Sequence, residues 1–277
     1  MIVSIASGKG GTGKTTIAVN LALSLGNVQL LDCDVEEPNC HLFLNPTLDK
    51  KEDVTVKVPK IDKEVCDFCG KCAHFCQYNA LAVAGESILV FPELCHSCGG
   101  CMIVCPHDAI TEESRVIGVV ESGRKDGIDF SHGKLNIGEA RATPIIAAVR
   151  AKVDKGFDCI IDAPPGTSCA VIESVKKTDY CVLVTEPTPF GLHDLKLAVG
   201  LMETLRIPHG VIINRDGIGD QKVEEYCEDK DIPVLMKIPD EHLIAELYSR
   251  GIPFTEELHE YRFMFRDMFK KIKEDMT

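Results

Sequence analysis

Residues 8–15 read GKGGTGKT. They follow the apolar, β-branched run Ile2–Ala6 after Ser7 and precede a stretch with helical apolar spacing at Ile17, Ala18, Leu21 and Leu25. Strand, glycine loop and helix form the context that the G-x4-G-K-[ST] phosphate loop requires. Glycines let successive backbone N–H groups wrap an anion, and the helix N-terminus adds a favourable dipole. A second apolar run, residues 28–31, ends at Asp32 and completes a βαβ unit, which calls for a parallel sheet covered by helices. Further strand candidates follow at 157–161, 180–185, 209–213 and 234–238. Helical stretches near 139–155, 170–177, 191–206, 220–230 and 241–249 separate them. The expected fold class is therefore α/β, a mostly parallel sheet with helices on both faces.

Between about 58 and 113 the pattern changes. Segments become short and cysteine-dense, punctuated by Pro59, Pro92 and Pro106. Cys66, Cys69, Cys72 and Cys76 read C-x2-C-x2-C-x3-C, as do Cys95, Cys98, Cys101 and Cys105. The two runs are 29 residues apart at all four positions. This resembles the two-cluster bacterial ferredoxins. There a compact run supplies three thiolates to one [4Fe–4S] cluster and its fourth cysteine completes the other. The resemblance implies one cluster on Cys66, Cys69, Cys72 and Cys105, and a second on Cys95, Cys98, Cys101 and Cys76. C-x2-C is also zinc spacing; two octads in register, with Pro106 after Cys105, favour clusters. Gln77 stands where a proline often follows the fourth cysteine. A loop insertion is entropically cheap, so the expected organisation is a phosphate-loop domain in two parts, 1–57 and 114–277, around a small α+β ferredoxin-type insert at 58–113. Residues 115–121 and 127–130 read as a hairpin leading back to the parent sheet.

Lys9 is a second lysine inside the phosphate loop. Residues 9–16, KGGTGKTT, resemble the deviant Walker A motif of the MinD/ParA/Mrp/nitrogenase-iron-protein superfamily of P-loop ATPases. Four further segments fit: DCDVEEPN (32–39) as switch I, CIIDAPPGT (159–167) as Walker B and switch II, IINR (212–215), and IPD (238–240) with residues 251–253 after it. The resemblance implies a slow, Mg-ATP-dependent ATPase that forms a homodimer around ATP. Gly8, Lys9, Gly10, Gly11, Thr12, Gly13, Lys14, Thr15 and Thr16 would line the nucleotide. Lys14 would pair with the β- and γ-phosphates, and Lys9 would reach the partner's nucleotide. Thr15, Asp32 and Asp162 would hold Mg²⁺. Asp34 would position the attacking water, Gly166 would sense the γ-phosphate, and Asn214, Pro239 and Asp240 would meet the base. Strand-end solvation is the plain alternative for Asp32 and Asp162, but strand-terminal acids on the phosphate side of a parallel sheet more often act. Cys169, shortly after switch II, is a candidate for a metal or redox role, against the inertness usual for structural cysteines.

The net charge of −13 argues against a nucleic-acid face. Fourteen cysteines, with no signal-like segment before the first strand, point to metal or redox cysteines in a reducing cytoplasm. No apolar run nears the roughly 18 residues of a membrane span. Tyr261, Phe265, Met268, Phe269 and Ile272 form an apolar stripe at helical spacing. It reads first as a packed face, and second as a membrane-seeking helix. The leading functional expectation is ATP-coupled electron transfer towards a partner protein. The alternatives are an ATP-dependent carrier or scaffold for iron–sulfur or metal cofactors, and a positioning switch with redox sensing.

Overall fold

In the computed structural model, which describes residues 1–276, the chain runs β1 (Ile2–Ala6), α1 (Lys14–Leu25), β2 (Val28–Asp32), α2 (Cys40–Leu44) and β3 (Thr47–Ile61). The cysteine-rich excursion holds α3 (Lys71–Phe75), β4 (Leu81–Val83), β5 (Ile88–Val90) and α4 (Gly100–Ile103). β6 (Ile110–Lys125), β7 (Ile128–Leu135), α5 (Thr143–Arg150), β8 (Asp158–Asp162), α6 (Cys169–Val175), β9 (Tyr180–Thr185) and α7 (Pro189–Leu205) follow. The chain closes with β10 (His209–Asp216), α8 (Lys222–Asp229), β11 (Val234–Pro239), α9 (His242–Ser249), α10 (Phe254–Glu257) and α11 (His259–Asp275).

Nine strands form one sheet in the order β11-β10-β9-β1-β8-β2-β7-β6-β3. Every pairing from β11 to β7 is parallel, and the last two are antiparallel. β2 and β9 are buried along their whole length, as parallel strands covered on both faces must be. Alternate residues serve opposite cores. Val3, Ile5, Leu30, Ile160 and Val182 face α1 and α11. Leu183 and Val211 face α6, α7 and α8, and Leu31 and Ile161 face α5. β1, β2, β8, β9, β10 and β11 thus match the sequence expectation, and the C-terminal ends of β2 and β8 place Asp32 and Asp162 side by side in register.

Two features differ from the sequence reading. α5 occupies only Thr143–Arg150 of the expected 139–155 stretch, because Pro144 sits in its first turn and fits only there. β3 was not anticipated. It pairs with β6 from Thr47↔Arg124 to Ile61↔Ile110, a ladder that runs through positions 57/58 and 113/114. The β6–β7 hairpin turns on Asp126 and Gly127, at φ 46° and 86°, the left-handed pair that a two-residue type I′ turn needs. The C-terminal stripe lies in the core. Tyr261, Phe265, Met268, Phe269 and Ile272 are all buried in the layer containing α1. Each such side chain is worth about 1.5–3 kcal/mol, so turning this face to lipid would strip the main core. Among the described residues, no helix is long and apolar enough to cross a membrane.

Candidate nucleotide site and cysteine arm

The phosphate loop is held from three sides. Gly11 and Gly13 adopt φ 80° and 94°, a region open to glycine at no steric cost. The Asn214 side-chain amide donates to the Thr12 carbonyl at 2.8 Å, so β10 braces the loop directly. The Gly166 N–H donates to the Ser7 carbonyl at 3.0 Å, bringing the turn after β8 against the loop's start. A Cβ on Gly8 would lie 2.1 Å from the backbone oxygen of Asp194 in α7. Gly8→Ala is therefore expected to push α7 off the loop and cost about 1–3 kcal/mol, as overpacking does. A denaturant-unfolding midpoint equal to wild type would refute this.

Behind the loop, Thr15 Oγ1 donates to Asp162 Oδ2 at 2.6 Å. Asp32 accepts the backbone N–H of Asp34 on one oxygen and that of Cys40 on the other, both at 3.0 Å. Asp32 and Asp162 are fully buried. Burial, then Asp162, pushes the Asp32 carboxyl well up. Burial likewise raises Asp162, opposed by Thr15 and Lys14. Asp162 Oδ1 is buried without a hydrogen-bond partner. Asp32, Cys40 and Asp162 offer donor atoms within 4.8 Å of one another. A buried acidic pair with an orphaned oxygen is suited to a bound cation. Asp34 is pushed up to about 6, by burial first and Asp162 next, against the pull of Lys14.

A cleft of about 400 Å³ opens above these groups. It is lined by Lys14, Thr15, Thr16, Asp34, Asn214 and Asp240, among others, with Gly10, Gly11, Gly13 and Pro239. Tyr248, Ile244 and Phe254 supply an apolar wall that the sequence reading missed. Tyr248 lies on α9 beside Phe43, with ring centroids 5.1 Å apart; only the tertiary fold brings it to the cleft. Lys9 does not line this cleft. Its ammonium pairs with Glu186 at 3.3 Å, and Arg215 binds the same carboxylate at 2.7 Å. Cys169 sits exposed at the start of α6. Cys159, Cys181 and Cys227 are buried in the core.

The cysteine excursion projects from the end of the β3–β6 ladder. The 29-residue repeat is repeated in the backbone. Phe68 and Ser97, Gly70 and Gly99, and Asn79 and Asp108 are matched pairs of positive-φ residues. Cys76 Sγ accepts the Ala80 N–H at 3.4 Å, and Cys105 Sγ accepts the Ala109 N–H at 3.3 Å. Cys95, Cys98, Cys101 and Cys76 line one cavity of about 240 Å³. Cys66, Cys69, Cys72 and Cys105 line a second, narrower one. Burial, then Cys95, pushes Cys101 up to about 11. Cys72 is raised by burial and also by Cys66 and Cys105.

The chain belongs to the CobQ/CobB/MinD/ParA nucleotide binding domain family, whose model matches residues 3–254. An uncharacterized protein of Methanocaldococcus jannaschii is 33% identical over 266 residues, covering 92% of both chains. The iron-sulfur cluster carrier protein of Pyrococcus horikoshii is 25% identical, covering 91% of this chain and 78% of that one. Among solved structures, the cell division ATPase MinD of Pyrococcus furiosus superposes with a TM-score of 0.59 at 20% identity over 98% of each chain. The family and the α/β architecture of the sequence reading therefore stand.

Proposed function

We propose that this protein is a Mg-ATP-dependent ATPase that dimerises on ATP and carries two [4Fe–4S] clusters in a ferredoxin-type insert, residues 58–113, between ATPase parts 1–57 and 114–277. Nucleotide state governs electron transfer towards a partner protein. One observation carries the reading. Each cysteine quartet, drawn from both runs, lines its own cavity on an arm rooted in the nucleotide-binding sheet. Four thiols around one cavity, three from a compact loop, are the donor set of a cubane cluster, and N–H···S bonds tune such sites. When bound, such clusters supply one-electron carriers.

On the nucleotide side, Lys14 neutralises phosphate charge and Thr15, Asp32 and Asp162 hold Mg²⁺. Phosphoryl transfer is mainly positioning and charge compensation, and Asp34 orients the water. Gly166 rests against the loop's start, where a γ-phosphate contact would move it. Lys9 acts across the dimer. Glu186 is buried, but when Lys9 leaves it Arg215 still holds that carboxylate at 2.7 Å, so no buried charge is stranded. Lys9→Ala is expected to abolish ATP-induced dimerisation, read by light scattering, with iron content unchanged. A variant that still dimerises with ATP removes the cross-dimer role.

A carrier reading is favoured by the name of the Pyrococcus relatives, iron-sulfur cluster carrier protein. The two separate on iron bookkeeping during anaerobic ATP turnover with an acceptor. Electron transfer requires ATP-dependent acceptor reduction with iron retained. Stoichiometric loss of iron to the acceptor establishes the carrier instead.

A further inference from the structure

One short loop joins the switch segment to the cysteine arm. Leu135, last in β7, donates its N–H to the Val35 carbonyl at 2.9 Å, one residue beyond Asp34. Asn136 N–H then bonds the Ile117 carbonyl at 2.9 Å. From there residues 136–142 carry two anchors to the arm. Glu139, with only 7% of its side chain exposed, receives the Arg115 guanidinium on both oxygens. Arg115 also reaches Glu93, two residues before Cys95, at 3.3 Å. Arg141 directs both terminal nitrogens at the Ser97 hydroxyl, 3.4 Å away, between Cys95 and Cys98.

Packing follows the same line. Cys95 and Ala80 belong to one buried cluster with Cys33, Val35, Ala142 and Ile145, and Cys76 packs against it. Cys66, Cys72 and Cys105 pack with Leu81, Ile88 and Ile110 in a core within the arm, which Cys76 and Cys101 also touch. Only the Cys95 quartet thus has members, Cys95 and Cys76, packed in the body cluster beside switch I; Cys66, Cys72 and Cys105 pack within the arm alone.

We propose that loop 136–142 relays the state of switch I to the Cys95 run, so that the Cys95, Cys98, Cys101 and Cys76 site answers to nucleotide and the Cys66, Cys69, Cys72 and Cys105 site does not. This rests on the nucleotide reading above. Segments contacting a γ-phosphate reorder when it binds or leaves. Val35 cannot shift without either moving Leu135 or breaking their hydrogen bond, which would leave two backbone groups to find new partners. Glu139 cannot leave Arg115 without stranding a buried carboxylate, and the same guanidinium reaches Glu93, so a shift of the loop is passed to the Glu93 end of the arm. Packed elements transmit such shifts as discrete rearrangements.

Amide hydrogen exchange on anaerobically purified, cluster-loaded protein tests this, with and without a non-hydrolysable ATP analogue and Mg²⁺. Exchange in peptides spanning 91–101 is expected to change by about fivefold or more, the lower end of ordinary coupling. Peptides spanning 64–73 are expected to be unchanged. Arg141→Ala and, separately, Arg115→Gln should remove the response at 91–101 while protection of 8–16 by the nucleotide persists. A response at 64–73 equal to that at 91–101, or one undiminished in both variants, overturns the relay. Absence of protection at 8–16 in the wild type would instead sink the nucleotide reading itself.

Discussion

Asp34→Asn is expected to lower ATP hydrolysis by about 10²–10⁴-fold, the usual worth of a positioned acid–base group, while making the folded chain more stable. The two effects share one cause. The Asp34 carboxyl is pushed up to about 6 because it is buried beside Asp162, with Lys14 only partly offsetting them. Its folded pKa exceeds the unfolded value, so between about pH 4 and pH 6 the native state holds the extra proton. This contribution to stability therefore falls as pH rises through that window. At neutral pH the ionised side chain costs of order 1–3 kcal/mol, which the neutral amide does not. The wild-type kcat/KM, which reports the free enzyme, should decline as pH falls below about 6, where Asp34 takes up its proton. Turnover assays across pH 5–8 and paired denaturation curves check both halves. An Asn variant that hydrolyses ATP at the wild-type rate, or a profile flat to pH 5, would remove Asp34 from the reaction.

Asp32 and Asp162 stood out in the sequence because each closes an apolar run, whereas Lys14 and Asp34 were marked by the motifs around them. Asp32 and Asp162 terminate β2 and β8, and an acid closing a buried parallel strand has few other places to point. The phosphate loop was equally plain, since its glycines and its helix are contiguous. β3 was not. Its first seven residues are all exposed and include the charged run 49–53, which reads as a loop. The charge is what an edge strand needs to discourage unwanted pairing, so the feature that hid the strand also protects it. Alternation of Val54, Val56 and Val58 was the available signal. Glu186 beneath Lys9, Tyr248 in the cleft and Arg115 at the foot of the arm were hidden for another reason. Each acts on a residue distant in the chain, and no local spacing announces such contacts. The repeat lies between these cases. Its cysteines and Gly70 and Gly99 were visible, whereas the left-handed turns at Phe68 and Ser97 follow no residue preference.

Cys76→Ala and Cys98→Ala are each expected to remove the same cluster, although Cys76 belongs to the first run and Cys98 to the second. Anaerobically purified variants should hold about half the wild-type iron, because each cubane carries four of the eight irons. Combining the two should cost no further iron. Such non-additivity marks residues that share one site. Cys76→Ala with Cys69→Ala, by contrast, should lose nearly all of it. The basis is geometric. Cys76 lines the cavity of Cys95, Cys98 and Cys101, whereas Cys69 lines that of Cys105. Cys69 and Cys98 are the most open choices, both being exposed thiols whose removal leaves the packing of the arm intact. If each run held its own cluster, the pattern would invert, with the Cys69/Cys76 pair losing half and the Cys76/Cys98 pair losing everything. Iron analysis with electron paramagnetic resonance of the reduced proteins distinguishes the two patterns. The inverted result would break the crossed arrangement, and with it the route by which switch I could reach one cluster and spare the other.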